Sequence, residues 1–316
     1  MNKVIYIGSD VGFEATLKVL ADIATIKHIK AQKETLGEEL KNAVALLDAS
    51  MKVNITDDMV QKAPLLKIIS CATTGSEHIQ RAALDKKFIQ VRTLKEDPDI
   101  LKNLTPAAEL SWALLIACAR RLSAAVKHVQ AGEWNRELFP GIMLNGRRLG
   151  LIGCGRIGGW MARYGQAFGM EVVGYDPYVR LWPENIEQVT LETLMSTSDF
   201  ISIHVHLNEE TRGLVSRALL AGVKPGAILL NTSRGAIVDE KALLEGLQSG
   251  RIHGAGLDVL AGEPITANHA LVCYAREHDN LLITPHCGGF SPDAVRKVCV
   301  HAAQKIRTVL MEKGCE

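Results

Sequence analysis

The sequence predicts an α/β protein built on a doubly wound parallel sheet, accompanied by a second, smaller α/β domain. Three observations predict it. An apolar strand, Leu149–Ile152, runs into Gly153-Cys154-Gly155-Arg156-Ile157-Gly158, then a helix-like run, then a second strand, Glu171–Tyr175, that ends on Asp176. Further strand-like runs follow at Phe200–His204, Ala227–Asn231, Gly256–Val259 and Leu281–Thr284, with helix-like runs between them at Ser216–Ala221 and Asp239–Gln248. Residues 1 to 98 repeat the alternation, with strands at Val4–Ile7, Ala43–Leu47, Lys67–Cys71 and Ile89–Val91. Strands that alternate with helices suggest a parallel sheet, because parallel neighbours need a crossover and a helix supplies it.

The glycine turn is the most informative stretch. A bare G-x-G-x-x-G is a weak signal, but here it follows a strand, opens a helix and meets an acid 18 residues after its third glycine. Gly153 permits the tight turn, Gly155 lets backbone approach a pyrophosphate, and Gly158 allows close helix–strand packing; N–H groups at the helix start attract the phosphates. Asp176 suits a ribose 2′-hydroxyl and repels a 2′-phosphate, and Pro177-Tyr178 follows where a phosphate-binding arginine would sit. NAD is therefore expected over NADP. The unit reads as a Rossmann-type dinucleotide-binding domain, residues 100–287, of about six strands.

The first domain, residues 1–99 completed by 288–316, reads as a small flavodoxin-like unit. Asp97-Pro98-Asp99 marks its boundary, and Thr105-Pro106 supplies the start of a long helix ending near Gly132. Leu110, Ala113, Leu114, Ala117 and Cys118 recur at helical spacing, which suits burial within the chain or a face against a second subunit. A last helical pattern, residues 291–313, has no strand left to cover in the nucleotide domain, so it is expected to return to the first. The segment Cys71-Ala72-Thr73-Thr74-Gly75-Ser76-Glu77 places small hydroxyl residues around a glycine, which suits either an ordinary loop or an anion held by backbone N–H groups.

Composition narrows the partner. The 316 residues carry 36 basic and 35 acidic side chains, a net charge of +1, with no electrostatic case for nucleic acid or an anionic membrane. No apolar run approaches membrane length and no leader precedes Val4–Ile7, so the cytoplasm is expected. The seven cysteines, Cys71, Cys118, Cys154, Cys273, Cys287, Cys299 and Cys315, form no zinc spacing and read as reduced thiols. No metal is expected.

Three clusters end strands of the nucleotide domain: Asn231-Thr232-Ser233-Arg234-Gly235, Asp258 with Gly262-Glu263-Pro264, and Thr284-Pro285-His286-Cys287-Gly288-Gly289. Strand ends of such a sheet face the cofactor crevice, so an arginine, an acid and a histidine can converge there. Together with Gly153–Gly158 and Asp176, these motifs in this order resemble the D-isomer-specific 2-hydroxyacid dehydrogenases, above all over residues 104–290. The resemblance implies an NAD-dependent enzyme that interconverts a small 2-oxo acid and its D-2-hydroxy acid. Arg234 would hold the substrate carboxylate and polarise the oxo group. His286 would be the general acid and base, with Glu263 orienting its ring and favouring the charged form. Arg156, Ile157, His204, Thr211, Thr232, Ser233, Asp258, Gly288 and Gly289 would join the glycine turn and Asp176 around the cofactor. Thr74, Gly75 and Ser76 would bind the substrate carboxylate through their N–H groups, with Arg234 and His286.

The family also implies a homodimer gripped through the 105–131 helix. Departures from its pattern are His206, where proline is usual, Glu77 for the usual aspartate, and Cys287, whose thiol beside His286 suggests sensitivity to oxidation. Two other readings stay open. Leu104–Glu109 and Leu149–Gly158 resemble the phosphoglycerate dehydrogenase branch, whose phosphorylated substrate would need cations such as Arg81, Arg92 and Lys95. An NAD(H)-sensing corepressor-like binding protein is the reading from a different class.

Overall fold

A computed structural model describes residues 2–180, 182–183 and 186–312, and the chain divides into two compact units. The first comprises Met1–Leu104 with Phe290–Glu316, the second Thr105–Gly289. Asp97 is followed not by a linker but by a short helix, Pro98–Lys102, with proline at its first position, where a missing N–H costs nothing.

The first unit is a five-stranded parallel sheet of β1 (Asn2–Ile7), β2 (Ala24–Ile29), β3 (Ala45–Asp48), β4 (Ile68–Cys71) and β5 (Gln90–Arg92), in the order β2-β1-β3-β4-β5. This is the flavodoxin-like order. Side chains alternate across a strand, so Val4 and Tyr6 enter one core and Ile5 and Ile7 the other. The first core is covered by Asp10–Leu20 and Pro292–Met311, the latter burying Cys299, Ala302, Ala303 and Ile306. The final helix therefore returns to the first unit, anchored where Ser70 Oγ donates to the Ala302 carbonyl at 2.9 Å. The sequence reading missed β2 because Lys27 and His28 interrupt its apolar pattern, as expected of an edge strand.

The second unit adds β6 (Arg148–Ile152), β7 (Glu171–Tyr175), β8 (Glu187–Gln188), β9 (Phe200–Ile203), β10 (Ala227–Asn231), β11 (Ile252–Leu257) and β12 (Leu281–Ile283). They form a seven-stranded parallel sheet in the order β12-β11-β10-β9-β6-β7-β8. The direction of winding reverses between β6 and β9, which opens a crevice at their carboxyl ends. One face packs Leu149, Leu151, Phe200, Ile228 and Leu230 against the helix Pro106–Ala119; the other buries Ile152, Ile201, Ile203, Leu229 and Leu257.

The long helix expected from Thr105 to near Gly132 is two helices, Pro106–Ala119 and Leu122–Gln130. Arg121 between them is left-handed, with φ of 49°. Ile142 N–H takes the Ala119 carbonyl at 2.8 Å, and the Arg121 guanidinium is held by the Leu138 carbonyl and Asp279. These contacts divert the backbone from a continuous helix. The second helix leaves Leu122, Val126 and Val129 exposed along one stripe.

Candidate active site

The glycine turn begins where β6 stops. Gly153 has φ of 94°, and a Cβ there would lie 2.5 Å from the His204 carbonyl oxygen. At Gly158 a Cβ would lie 2.0 Å from the Gly153 oxygen, so the helix Arg156–Ala167 rests directly on the turn backbone. A Cβ at Gly155 meets nothing within 4 Å. Gly155 also caps that helix without a side-chain hydrogen bond. An open space in front of an uncapped helix start, with Arg156 and Ile157 in its first turn, fits a pyrophosphate.

Asp176 is tied to this turn. Its Oδ2 accepts Cys154 N–H and its Oδ1 accepts Tyr178 N–H, both at 2.9 Å, which leaves carboxylate lone pairs for a hydroxyl. Tyr178 also donates to Glu210, adding a second acid to this end of the crevice. Burial, with the Asp176 charge, pushes the Cys154 thiol up to about 12, and burial draws the Arg156 guanidinium below its usual value. Arg156 still carries its charge at neutral pH.

His204 follows β9 and donates its N–H to the Ile152 carbonyl at 2.7 Å, joining the two strands that flank the crevice. Its Nε2 pairs with Ser202 Oγ at 2.8 Å, and burial pushes its pKa down to about 3, so the ring is neutral. Thr211 closes the next turn, its Oγ1 donating to the His206 carbonyl and its N–H to Asn208 Oδ1. The His206 side chain is exposed.

At the ends of β10, β11 and β12 the predicted arginine, acid and histidine come together. Buried Asn231 shapes the first loop: its Oδ1 accepts Ser233 N–H and its Nδ2 donates to the Arg234 carbonyl. The Ser233 hydroxyl donates to the Ile203 carbonyl, and Thr232 Oγ1 pairs with Ser111 at 2.6 Å, so both hydroxyls brace the scaffold. Gly235 lies so close to Leu260 and Ala261 that a Cβ would sit 2.1 Å from the Ala261 nitrogen. This contact brings Arg234 to the segment that carries Glu263.

Glu263 Oε2 accepts Leu260 N–H at 3.2 Å, and its Oε1 is hydrogen-bonded to His286 Nδ1. Burial alone would raise the Glu263 pKa, but the His286 hydrogen bond and charge, the Leu260 N–H and the Arg234 charge together hold it below the usual value. An ionised carboxylate only accepts, so His286 Nδ1 carries the proton and Nε2 is the nitrogen turned to other work.

Asp258 organises the histidine loop. It is 1% exposed, and its carboxylate takes Thr284 Oγ1 at 2.5 Å, Cys287 N–H at 2.9 Å and Gly288 N–H at 2.7 Å. Its carbonyl accepts His286 N–H, and His286 adopts φ of 53°. A Cβ on Gly288 would press to 2.9 Å from Asp258 Oδ2, whereas Gly289 faces open space. Burial and the neighbouring Asp258 charge raise the Cys287 thiol, which opposes the oxidation sensitivity expected from its position, because the thiolate is the reactive form.

In the first unit, Thr74, Gly75 and Ser76 follow β4. Thr73 Oγ1 donates to the Gly75 carbonyl and Ile79 N–H to the Ser76 carbonyl, bonds that use carbonyls and leave the N–H groups of residues 74–76 without partners among the described residues. Arg81 reaches Ser76 Oγ at 3.3 Å, and Arg92 is paired with Glu96 at 3.3 Å. A buried pair, Asp48 with His78, borders this loop. Nothing in the local sequence pattern marked it, because its members lie 30 positions apart and each is isolated in polarity. Among the described residues no group of three or more His, Cys, Asp or Glu is placed to hold a metal ion.

A doubly wound sheet whose crevice presents an open glycine turn and an Arg–Glu–His convergence defines a nucleotide-dependent oxidoreductase scaffold. The chain belongs to the D-isomer specific 2-hydroxyacid dehydrogenase family, whose NAD binding domain matches residues 112–288. It is 35% identical over 306 residues to the D-3-phosphoglycerate dehydrogenase of Methanocaldococcus jannaschii, covering 94% of this chain and 56% of that one. It is 36% identical over 263 residues to the hydroxypyruvate reductase of Thermotoga maritima, covering 83% and 84%. The chain thus spans about half the length of the phosphoglycerate dehydrogenases it matches. The TT0316 protein from Thermus thermophilus has a similar structure, with a TM-score of 0.87, 31% identity and coverage of 98% of this chain and 97% of that one.

Proposed function

We propose that this chain is an NAD-dependent dehydrogenase that interconverts a 2-oxo acid and its D-2-hydroxy acid. The observation that carries this reading is the meeting of Arg234, Glu263 and His286 at three adjacent strand ends of a sheet whose glycine turn fits a dinucleotide. When bound, the nicotinamide supplies or accepts the hydride. Gly153, Gly155, Gly158, Arg156 and Ile157 hold its pyrophosphate, and Asp176 its ribose. His204, Thr211, Thr232, Ser233, Asp258, Gly288 and Gly289 shape the walls of that site, several of them through backbone. Arg234 forks onto the substrate carboxylate and draws charge from the 2-oxo group. His286, held at Nδ1 by Glu263, delivers a proton from Nε2 to the oxygen in reduction and takes it back in oxidation. Thr74, Gly75 and Ser76 bind the carboxylate through N–H groups that have no partner among the described residues.

A panel of 2-oxo acids, each with and without a phosphate group, tests the reading by NADH consumption. Turnover of none of them would remove it and leave the cofactor-sensing alternative, which the dehydrogenase and reductase names of the relatives do not favour. The phosphoglycerate dehydrogenase relatives favour a phosphorylated substrate, while the paired state of Arg92 and the match to most of a hydroxypyruvate reductase support an unphosphorylated one.

We also propose a homodimer that covers Leu122, Val126 and Val129, with exposed Trp134, Leu138 and Met143 nearby in sequence. Light scattering that gives the mass of one chain would remove it. The six described cysteines are unpaired thiols, which supports the cytoplasm as the compartment; Cys315 lies outside the described residues. No described helix is long and apolar enough to cross a membrane.

A further inference from the structure

The first unit contains an acid–imidazole pair that the proposed reaction does not use. Asp48 ends β3 and is fully buried. Its Oδ1 accepts Ser50 N–H at 2.8 Å, Ser50 Oγ at 3.1 Å and Met51 N–H at 3.1 Å, and its Oδ2 lies 2.7 Å from His78 Nε2. A carboxylate with these donors is an acceptor only, so Nε2 carries the imidazole proton. His78 Nδ1 is buried without a partner among the described residues. The ring therefore has one polar anchor, and that anchor is Asp48.

Asp48 grips the segment from Ala72 to His78 at both ends. Its carbonyl accepts Ala72 N–H at 2.8 Å, and its carboxylate holds His78. The backbone beyond is fixed as well, since Ile55 N–H donates to the His78 carbonyl and Gln80 N–H to the Ile55 carbonyl. Between the two grips lie Thr74, Gly75 and Ser76 with their unspent N–H groups. N–H groups on a loop already held at both ends need little ordering when an anion arrives, so the fixed loop gains affinity that a loose one loses.

We propose that Asp48 and His78 are a positioning pair that keeps the Thr74–Ser76 N–H groups aimed at one carboxylate, and so sets affinity for the 2-oxo acid without touching the reacting atoms. This rests on the role given to that loop above. His78→Phe removes the anchor, and His78→Gln restores an N–H donor of similar reach. With NADH-loaded protein and oxamate as the probe, His78→Phe is expected to weaken binding and raise KM about tenfold or more, the scale of one charge-assisted hydrogen bond. The kcat is expected to stay within about twofold, and His78→Gln to recover most of the loss. Amide exchange of residues 72–79 is expected to quicken in His78→Phe, a readout that needs neither turnover nor ligand. If wild type turns over no 2-oxo acid, the functional reading fails while exchange still decides the pair. Unchanged exchange, or an unchanged oxamate affinity in a folded His78→Phe protein, overturns the proposal. If His78→Phe does not fold, Asp48→Asn with the same two measurements takes its place, and wild-type exchange there overturns it equally.

Discussion

Two of the acid–imidazole pairs among the described residues, one in each unit, join the same kinds of group in opposite settings. In the second unit, Glu263 is 30% and His286 43% exposed, and the acid binds the imidazole at Nδ1. In the first unit, Asp48 is 0% and His78 6% exposed, and the acid binds at Nε2. An imidazole that exchanges protons with a ligand must keep one nitrogen within reach, as His286 does. The burial of His78 removes that possibility and turns the same hydrogen bond into a brace. Solvent access, rather than the pairing itself, separates a proton carrier from a structural clamp.

The largest expected effect breaks the exposed pair. His286→Ala should lower kcat by about 10²- to 10⁴-fold, the usual worth of a general acid, while NADH affinity stays within about twofold. Titration of NADH by fluorescence beside steady-state kinetics checks both; equal losses in the two would deny His286 a chemical role. Next is Arg234→Lys, which keeps the charge but loses the fork, with kcat/KM expected to fall about a hundredfold. Near-wild-type kcat/KM would reduce Arg234 to a surface cation.

The glycine turn offers a parallel contrast between crowded and open space. Gly158→Ala must displace backbone, because its Cβ would lie 2.0 Å from the Gly153 oxygen, and should destabilise the fold by about 1–3 kcal/mol. Gly155→Ala meets nothing in the protein, so it should leave stability within about 0.5 kcal/mol while weakening NADH binding. Thermal unfolding and NADH titration separate them, and a stable Gly158→Ala protein would contradict the geometry.

The smallest effect concerns pH. The Glu263 pKa is depressed in the folded protein, so its contribution to stability is complete above the ordinary glutamate value of about 4.3 and is lost as pH falls through the lower folded value. Wild type should therefore lose Tm more steeply than Glu263→Gln below about pH 4.3. Parallel curves would show that the carboxylate is not stabilised in the fold.

Features contiguous along the chain were legible in the sequence. The glycine turn, its acid and the polar residues after β10, β11 and β12 are each contiguous, and strand ends of a doubly wound sheet must gather them. Features that arise only from packing were not. The two-residue β8 has too little pattern to register, and the break at Arg121 depends on Ile142, Leu138 and Asp279, all distant in sequence. Asp258 is expected near the cofactor, and its carboxylate also holds the His286 loop, an occupation visible only once that loop has folded over it. The Asp48–His78 pair was hidden for the same reason.

The last described helix, Pro292–Met311, supplies part of the cover over the earliest strands. During synthesis, Val4, Tyr6, Leu47 and Ile68 leave the ribosome well over half a chain length before the final helix that helps to shield them. The nucleotide unit is complete by residue 289, so a nascent chain can finish its middle while its beginning still waits uncovered. A chaperone that meets this protein during translation would find its sticky surface near the amino terminus, and loss of the final helix would leave part of that surface permanently bare.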